Sequence, residues 1–162
     1  QGAKAEIVSV TKPENLNDFD LVLLGHGTRD AWAELARMDS KLISYVAEFV
    51  ASGKPVIAVS SGYEALIEEI KGVKVKHVER ISEFKSVDGA VGYINSEADL
   101  PAVTWMQNSL LTLFHGPVLV KNPELADQII RNSKWVDSVV ANDNQKNVDL
   151  LAGASRRIAF ED

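Results

Sequence analysis

Cysteine is missing altogether from the 162 residues. That excludes disulfides, thiolate metal ligands and a thiol nucleophile. Long apolar runs are missing too. The longest, such as Leu110–Phe114, fall far short of the roughly 20 residues that a membrane span needs. There is no basic excess, since 17 Lys and Arg stand against 23 Asp and Glu for a net charge of −6. An acidic chain without a basic run is a poor match for nucleic acid. No Walker-type or GxGxxG loop occurs, so bound ATP or dinucleotide is not expected, nor any other cofactor. His77, Glu79 and Arg80 cluster, but zinc-ligand spacing is not met and they read as a solvated edge. No metal site is expected. Nothing addresses the chain to a membrane or to secretion, which makes the cytoplasm the expected location.

What is present is ordinary globular composition, 46% hydrophobic and 25% charged, enough for the core of one domain spanning 1–162. Ala5–Val10 reads as a short β-branched strand, followed by a polar connector to Asp18. Phe19–Leu24 is an apolar run closed by Gly25-His26-Gly27-Thr28, the pattern of a strand buried on both faces. Asp30 is placed to cap a long helix over about 31–52, closed by Gly53 with Pro55 beyond. Val56–Val59 is a second buried strand, and Tyr63–Ile70 returns to helical spacing. Strand, helix, strand, helix predicts an α/β fold, a mostly parallel sheet flanked by helices. From Val73 the rhythm changes. Val73–Val78, Ala90–Ile94, Ala102–Met106 and Leu110–Phe114 read as short strands without long helices between them, a β-rich meander in the second half. Asn122, as cap, and Pro123 then open a helix to about Ser133, and a last helix covers about 147–160.

Two segments carry chemistry. Val56–Val59 runs straight into Ser60-Ser61-Gly62 and a helix. That is the layout of a nucleophile elbow, which lifts one side chain above the sheet in front of a helix N-terminus. Phe114-His115-Gly116-Pro117 sets a histidine at a strand end, where a general base could meet the elbow. Blander readings stand beside these. Strand–Ser–Ser–Gly–helix also serves as a plain connector, and a histidine before Gly-Pro as a turn residue. Ser61 and Glu64 fit a capping box. His26 fits an exposed loop histidine as well as a donor to a bound carboxylate or oxyanion.

Taken together these segments resemble the class I, triad-type glutamine amidotransferases. The nearest branch is the cobyric acid synthase-like one, which includes the glutaminase subunit of lipid II isoglutaminyl synthase. Residues 19–30 resemble the family's "DYDLVFLGGGQD", whose glycine loop contributes to the oxyanion hole. Residues 53–64 resemble its elbow, "GVPVLAVCGGYQ". Residues 113–127 resemble "YLHGPLLPKNPELAD", which holds the catalytic histidine, and 92–95 resemble "GFEN". The resemblance implies a flavodoxin-like fold whose first strand–helix unit lies before Gln1. It implies Ser60 at the nucleophile position and His115 at the base position. Gly25, His26, Gly27, Ser61 and Glu64 take the oxyanion and glutamine-binding positions. It further implies glutamine as ligand and, as partner, an ATP-dependent, Mur-ligase-like ligase or synthase that amidates a peptidoglycan precursor or a cobyrinate-type acid with the ammonia released.

The departures bear on activity. The family's cysteine is Ser60, the next glycine Ser61, the glutamine-contacting Gln is Glu64, the middle loop glycine is His26, and the His after "GFEN" is Ser96. The branch's third triad member, an Asp, is expected before Gln1, and Pro117 fills the place two residues after His115 where other class I enzymes carry it. A serine hydroxyl is far less acidic than a thiol and needs strong help from an oriented base. Glutaminase activity is therefore expected to be absent or much reduced. A designed Cys-to-Ser replacement would explain Ser60 alone, whereas a natural pseudo-amidotransferase acting as a binding subunit explains the other departures too. A serine hydrolase using Ser60 and His115 on another substrate is the third reading.

Overall fold

The structure, a computed structural model, describes residue 16 and residues 18–37, 41–133 and 143–158. The strand read at Ala5–Val10 lies outside these residues. The main sheet holds β1 (Val22–Leu24), β2 (Val56–Val59), β6 (Ser109–Thr112) and β5 (Val103–Met106), in that order. β1, β2 and β6 are parallel, and β5 joins β6 antiparallel. β2 and β6 lie inside the sheet and are almost wholly buried; β2 is apolar throughout, whereas β6 buries Ser109 and Thr112 along with its two leucines. A second, antiparallel sheet holds β3 (His77–Val87), β4 (Ala90–Ala98) and β7 (Phe114–His115). The architecture is mixed α/β with a mostly parallel main sheet, and the second-half meander is resolved into two hairpins and two sheets.

The helix expected over 31–52 is two helices, α1 (Arg29–Arg37) and α2 (Leu42–Ala51). Asp30 does not cap. The helix starts two residues earlier than expected, at Arg29, and Thr28 Oγ1 accepts the Ala31 N–H at 3.2 Å. Gly53 closes α2 as expected, with φ 82° and its N–H on Val50 O at 2.9 Å.

Helix α3 (Ser61–Lys71) follows β2 without a connecting loop and ends on Gly72 in the left-handed conformation. The strand read at Val73–Val78 starts only at His77 and runs on to Val87. Its polar residues hide it, because every one of its residues is exposed or only half-buried. Asp88 and Gly89, both with positive φ, form the two-residue turn into β4. β4 extends beyond the expected Ala90–Ile94 to Ala98, with a bulge in β3 opposite its end. The run Leu110–Phe114 breaks at Leu113, where the chain leaves one sheet for the other. After β7 come α4 (Val118–Lys121), α5 (Pro123–Asn132) and α6 (Asp143–Ile158).

Pro123 opens α5 as expected, but Asn122 does not cap it with its side chain. The carboxamide is fully buried and turned the other way. It accepts Val91 N–H at 2.7 Å and donates to Val91 O at 2.8 Å and Val118 O at 2.7 Å. In a two-residue hairpin the pair Val87–Ala90 exchanges the hydrogen bonds, so Val91 points its N–H and C=O away from β3. Asn122 takes both, standing in for a strand neighbour. The core joins Tyr63, Leu66, Phe49 and Val46 of the helices to Val56, Leu110, Leu111, Ile94 and Phe114 of both sheets.

Candidate functional site

The parallel strands β1, β2 and β6 all end at the same edge of the main sheet. In open α/β sheets, the ground beyond the carboxyl ends of the strands is where ligands bind. β1 delivers the loop Gly25–Thr28, β2 delivers Ser60, and the chain beyond β6 delivers His115. They line a cleft of about 450 Å³ together with Ser61, Glu64, Asn95, Ser96 and the β3 residues His77 and Arg80.

Ser60 has φ 52° and ψ −116°, a strained backbone for a residue with a Cβ. It is 2% exposed, with its N–H on Thr112 O at 2.7 Å. The turn is tight because Gly62 packs against the end of β1. A Cβ there would sit 2.6 Å from Gly25 O and 2.7 Å from Leu24 O. The elbow geometry expected from Val59-Ser60-Ser61-Gly62 is present, with the first turn of α3 directly behind Ser60.

The hydroxyl of Ser60 meets His26, not His115: Ser60 Oγ lies 3.2 Å from His26 Nδ1. The rings of His26 and His115 are neighbours, 5.1 Å between centroids. His115 is half-buried, and a hydrogen bond to the Asn95 backbone carbonyl holds its ring. Its Nε2 is buried without a partner among the described residues, so Nδ1 is the donating nitrogen. Burial, and then the positive charge of a protonated His26, push the His115 pKa below its ordinary value, while the Asn95 carbonyl opposes them. A carbonyl fixes the tautomer of the ring but carries no full charge to stabilise an imidazolium as a triad carboxylate does.

Ser61 and Glu64 do not form a capping box. Ser61 Oγ donates to Gly27 O at 2.9 Å and accepts Gly27 N–H at 2.8 Å and the Trp32 indole N–H at 2.9 Å. It therefore pins the glycine loop and α1 onto the start of α3. Glu64 turns outward to His77 Nε2 at 3.1 Å, and its own N–H bonds Ser60 O at 3.0 Å. Arg80 donates to Glu97 at 2.9 Å across the β3–β4 hairpin. The cleft thus carries matched charges at its rim. Among the described residues no group of three His, Asp or Glu is arranged to hold a metal.

Every residue singled out for chemistry reaches this cleft or its walls: Ser60, Ser61, His26, Gly27, Glu64 and His115 line it, and Gly25 packs beneath the elbow. Trp32 reads in the sequence as a scattered tryptophan with core or partial burial as the default, and its bond to Ser61 carries no sequence signal. The Asn95 carbonyl, a backbone acceptor, carries none at all. His77 reads in the sequence as a solvated edge residue, and its pairing with Glu64 requires the turn of β3 over α3. No helix among the described residues is long and apolar enough to cross a membrane. No protein-family model matches the chain, and no curated protein matches it.

Proposed function

We propose that the chain is a class I glutamine amidotransferase-like subunit in which glutamine hydrolysis is silenced and binding to an ATP-dependent ligase or synthase partner is retained. The observation that carries the reading is the strained backbone of Ser60, φ 52° at the end of a central parallel strand with α3 behind it. Strain of this kind costs about 1–3 kcal/mol and persists where a side chain has to be presented to a ligand. The sequence resemblance at 19–30, 53–64 and 113–127 supplies the family.

Three features support the silencing. A serine replaces the thiol at the elbow. The Gly27 N–H, which lies on the loop that in the resembled family contributes to the oxyanion hole, is occupied by Ser61 Oγ at 2.8 Å. Glu64, where the family contacts glutamine with a Gln, brings a carboxylate that is tied to His77. An oxyanion-hole donor is worth about 100- to 1000-fold in rate, so losing one on top of the thiol leaves little turnover.

The test is ammonia release from glutamine by the chain, by Ser60→Cys, and by Ser60→Cys combined with Ser61→Gly and Glu64→Gln, with a candidate ligase partner present. The expected order is no release, slight release, and release at least 100-fold above the single variant, the size of one restored oxyanion donor. Turnover by the unaltered chain would overturn the silencing. No turnover by the triple variant would overturn the amidotransferase reading itself.

A further inference from the structure

Hydrogen bookkeeping at Ser60, Ser61 and His26 leads to an activity that glutamine chemistry does not require. A hydroxyl has one proton to give and two lone pairs to receive. Ser61 gives its proton to Gly27 O and fills both lone pairs with the N–H groups of Gly27 and Trp32. It has nothing left for His26 Nδ1, although that atom lies 3.2 Å away. Ser60 is the opposite case. Its hydroxyl is buried and needs an acceptor for its proton. The one hydrogen-bonding partner it has among the described residues is His26 Nδ1. The arrangement that satisfies both groups has Ser60 Oγ donating to the Nδ1 lone pair of a His26 whose proton is on Nε2. This is the ground-state geometry of a nucleophile beside its general base.

We propose that Ser60 and His26 form a working nucleophile–base pair that transfers the acyl group of small neutral esters to water. Ser60 Oγ bonds to the ester carbonyl carbon as its proton passes to His26 Nδ1. The first N–H groups of α3, on Ser61 and Gly62, face the developing oxyanion, since a helix start leaves its N–H groups without helical partners. The carbon–oxygen bond to the alcohol then breaks, and the alcohol leaves with the proton from His26. Water attacks the acyl-Ser60 carbonyl and gives its proton to His26 Nδ1. The carboxylic acid departs as Ser60 recovers its hydrogen. The preference for neutral substrates follows from the rim, where Glu64 is paired with His77 and Glu97 with Arg80. The cleft of about 450 Å³ admits a short acyl chain. His115 lies next to His26 but has no bond to Ser60 among the described residues. This proposal does not rest on the amidotransferase reading.

The experiment labels the full chain with a fluorescent fluorophosphonate and maps the labelled peptide by mass. Ser60→Ala, His26→Ala and His115→Gln are run beside it, each checked for folding by thermal melting. Labelling is expected at Ser60 and is lost in Ser60→Ala. It is expected to slow about 100-fold in His26→Ala, the size of a general-base contribution. His115→Gln slows it less than His26→Ala does. Added imidazole is expected to restore part of the rate in His26→Ala, which a merely structural role for His26 would not allow. An unlabelled Ser60, or His26→Ala labelled at the unaltered rate, overturns the proposal, as does a larger loss in His115→Gln. Ammonia release from glutamine reads the other function separately, so the two can fail independently.

Discussion

Asn122 sits where a helix cap belongs, but the structure gives its side chain a different task, and the two roles predict opposite mutational outcomes. Asn, Asp and Ser cap helices about equally well, and replacing such a cap by Ala costs typically about 1 kcal/mol. A capping Asn122 would therefore accept Asp with no loss. In the structure its carboxamide is fully buried and makes three hydrogen bonds, two of them to both backbone groups of Val91. Each such bond contributes about 1 kcal/mol net, and a buried group left without its partner costs about 1–3 kcal/mol. Asn122→Ala strands the Val91 N–H and C=O, for a loss of about 4 kcal/mol. Asn122→Asp keeps the acceptor for Val91 N–H but turns an unpaired carboxylate on the Val91 and Val118 carbonyls. Removing one partner of a buried charge costs a similar 3–5 kcal/mol.

For a chain of this length, 1 kcal/mol moves the melting temperature by about 2–4 °C, so each variant is expected to melt about 8–16 °C lower. Urea unfolding followed by circular dichroism measures both. An Asn122→Asp protein within about 1 kcal/mol of the unaltered chain would refute the clamp and restore the cap. The consequence reaches the site. Asn122 joins β4 to the segment just after His115, and β4 also supplies the Asn95 carbonyl that fixes the His115 ring.

Further predictions concern two glycines and His115. Gly92 of β4 lies against Phe114 so closely that a Cβ would enter that side chain. Gly92→Ala is expected to destabilise by about 1–3 kcal/mol through overpacking, whereas Gly153→Ala, with nothing within 4 Å inside α6, is expected to stabilise by about 0.5–1 kcal/mol. Urea melts of the pair check both signs. His115 also predicts a pH dependence. Its pKa is lower in the fold than its ordinary 6.5, so the unfolded chain binds the proton more readily. Its contribution to stability is full above pH 6.5 and falls as pH drops from there through the folded value. The stability gap between the unaltered chain and His115→Gln should therefore narrow between pH 7.5 and pH 5.5, and an unchanged gap would contradict the burial argument.

The elements legible in the sequence were those whose signal is local. β2 is buried on both faces, so it appears as an apolar run. Gly53 and Pro123 mark helix ends through backbone rules that hold in any fold. The elbow at Ser60 was legible because small residues between a strand and a helix leave few other geometries. β3 was mostly missed because it is an exposed edge strand whose residues answer to solvent rather than to a core. The cap assigned to Asn122 and the capping box assigned to Ser61 and Glu64 failed for one shared reason. Each side chain met a tertiary partner more in need of it than the neighbouring helix end: Val91 for Asn122, Gly27 and Trp32 for Ser61, His77 for Glu64. Local capping rules hold until a tertiary partner competes for the same atom.

Ser61 acts in opposite directions on the two proposed activities, and this makes its replacement more informative than that of Ser60. Its hydroxyl takes the Gly27 N–H, the oxyanion donor of the proposed amidotransferase site. The same hydroxyl holds the loop and Trp32 in place, and with them the His26 ring, whose Nδ1 lies 3.2 Å from Ser60 Oγ. A glycine at 61 frees the donor and releases the loop at once. In a Ser60→Cys background that change favours glutamine turnover, because a thiol is acidic enough to depend less on a fixed base. In the unaltered Ser60 background it weakens ester chemistry, because a hydroxyl depends on the base at its side. Ser61→Gly should thus raise ammonia release with a thiol at 60 and lower fluorophosphonate labelling with a hydroxyl there. If both move the same way, Ser61 is only a packing residue, and the silencing of the site lies in Ser60 and Glu64 alone.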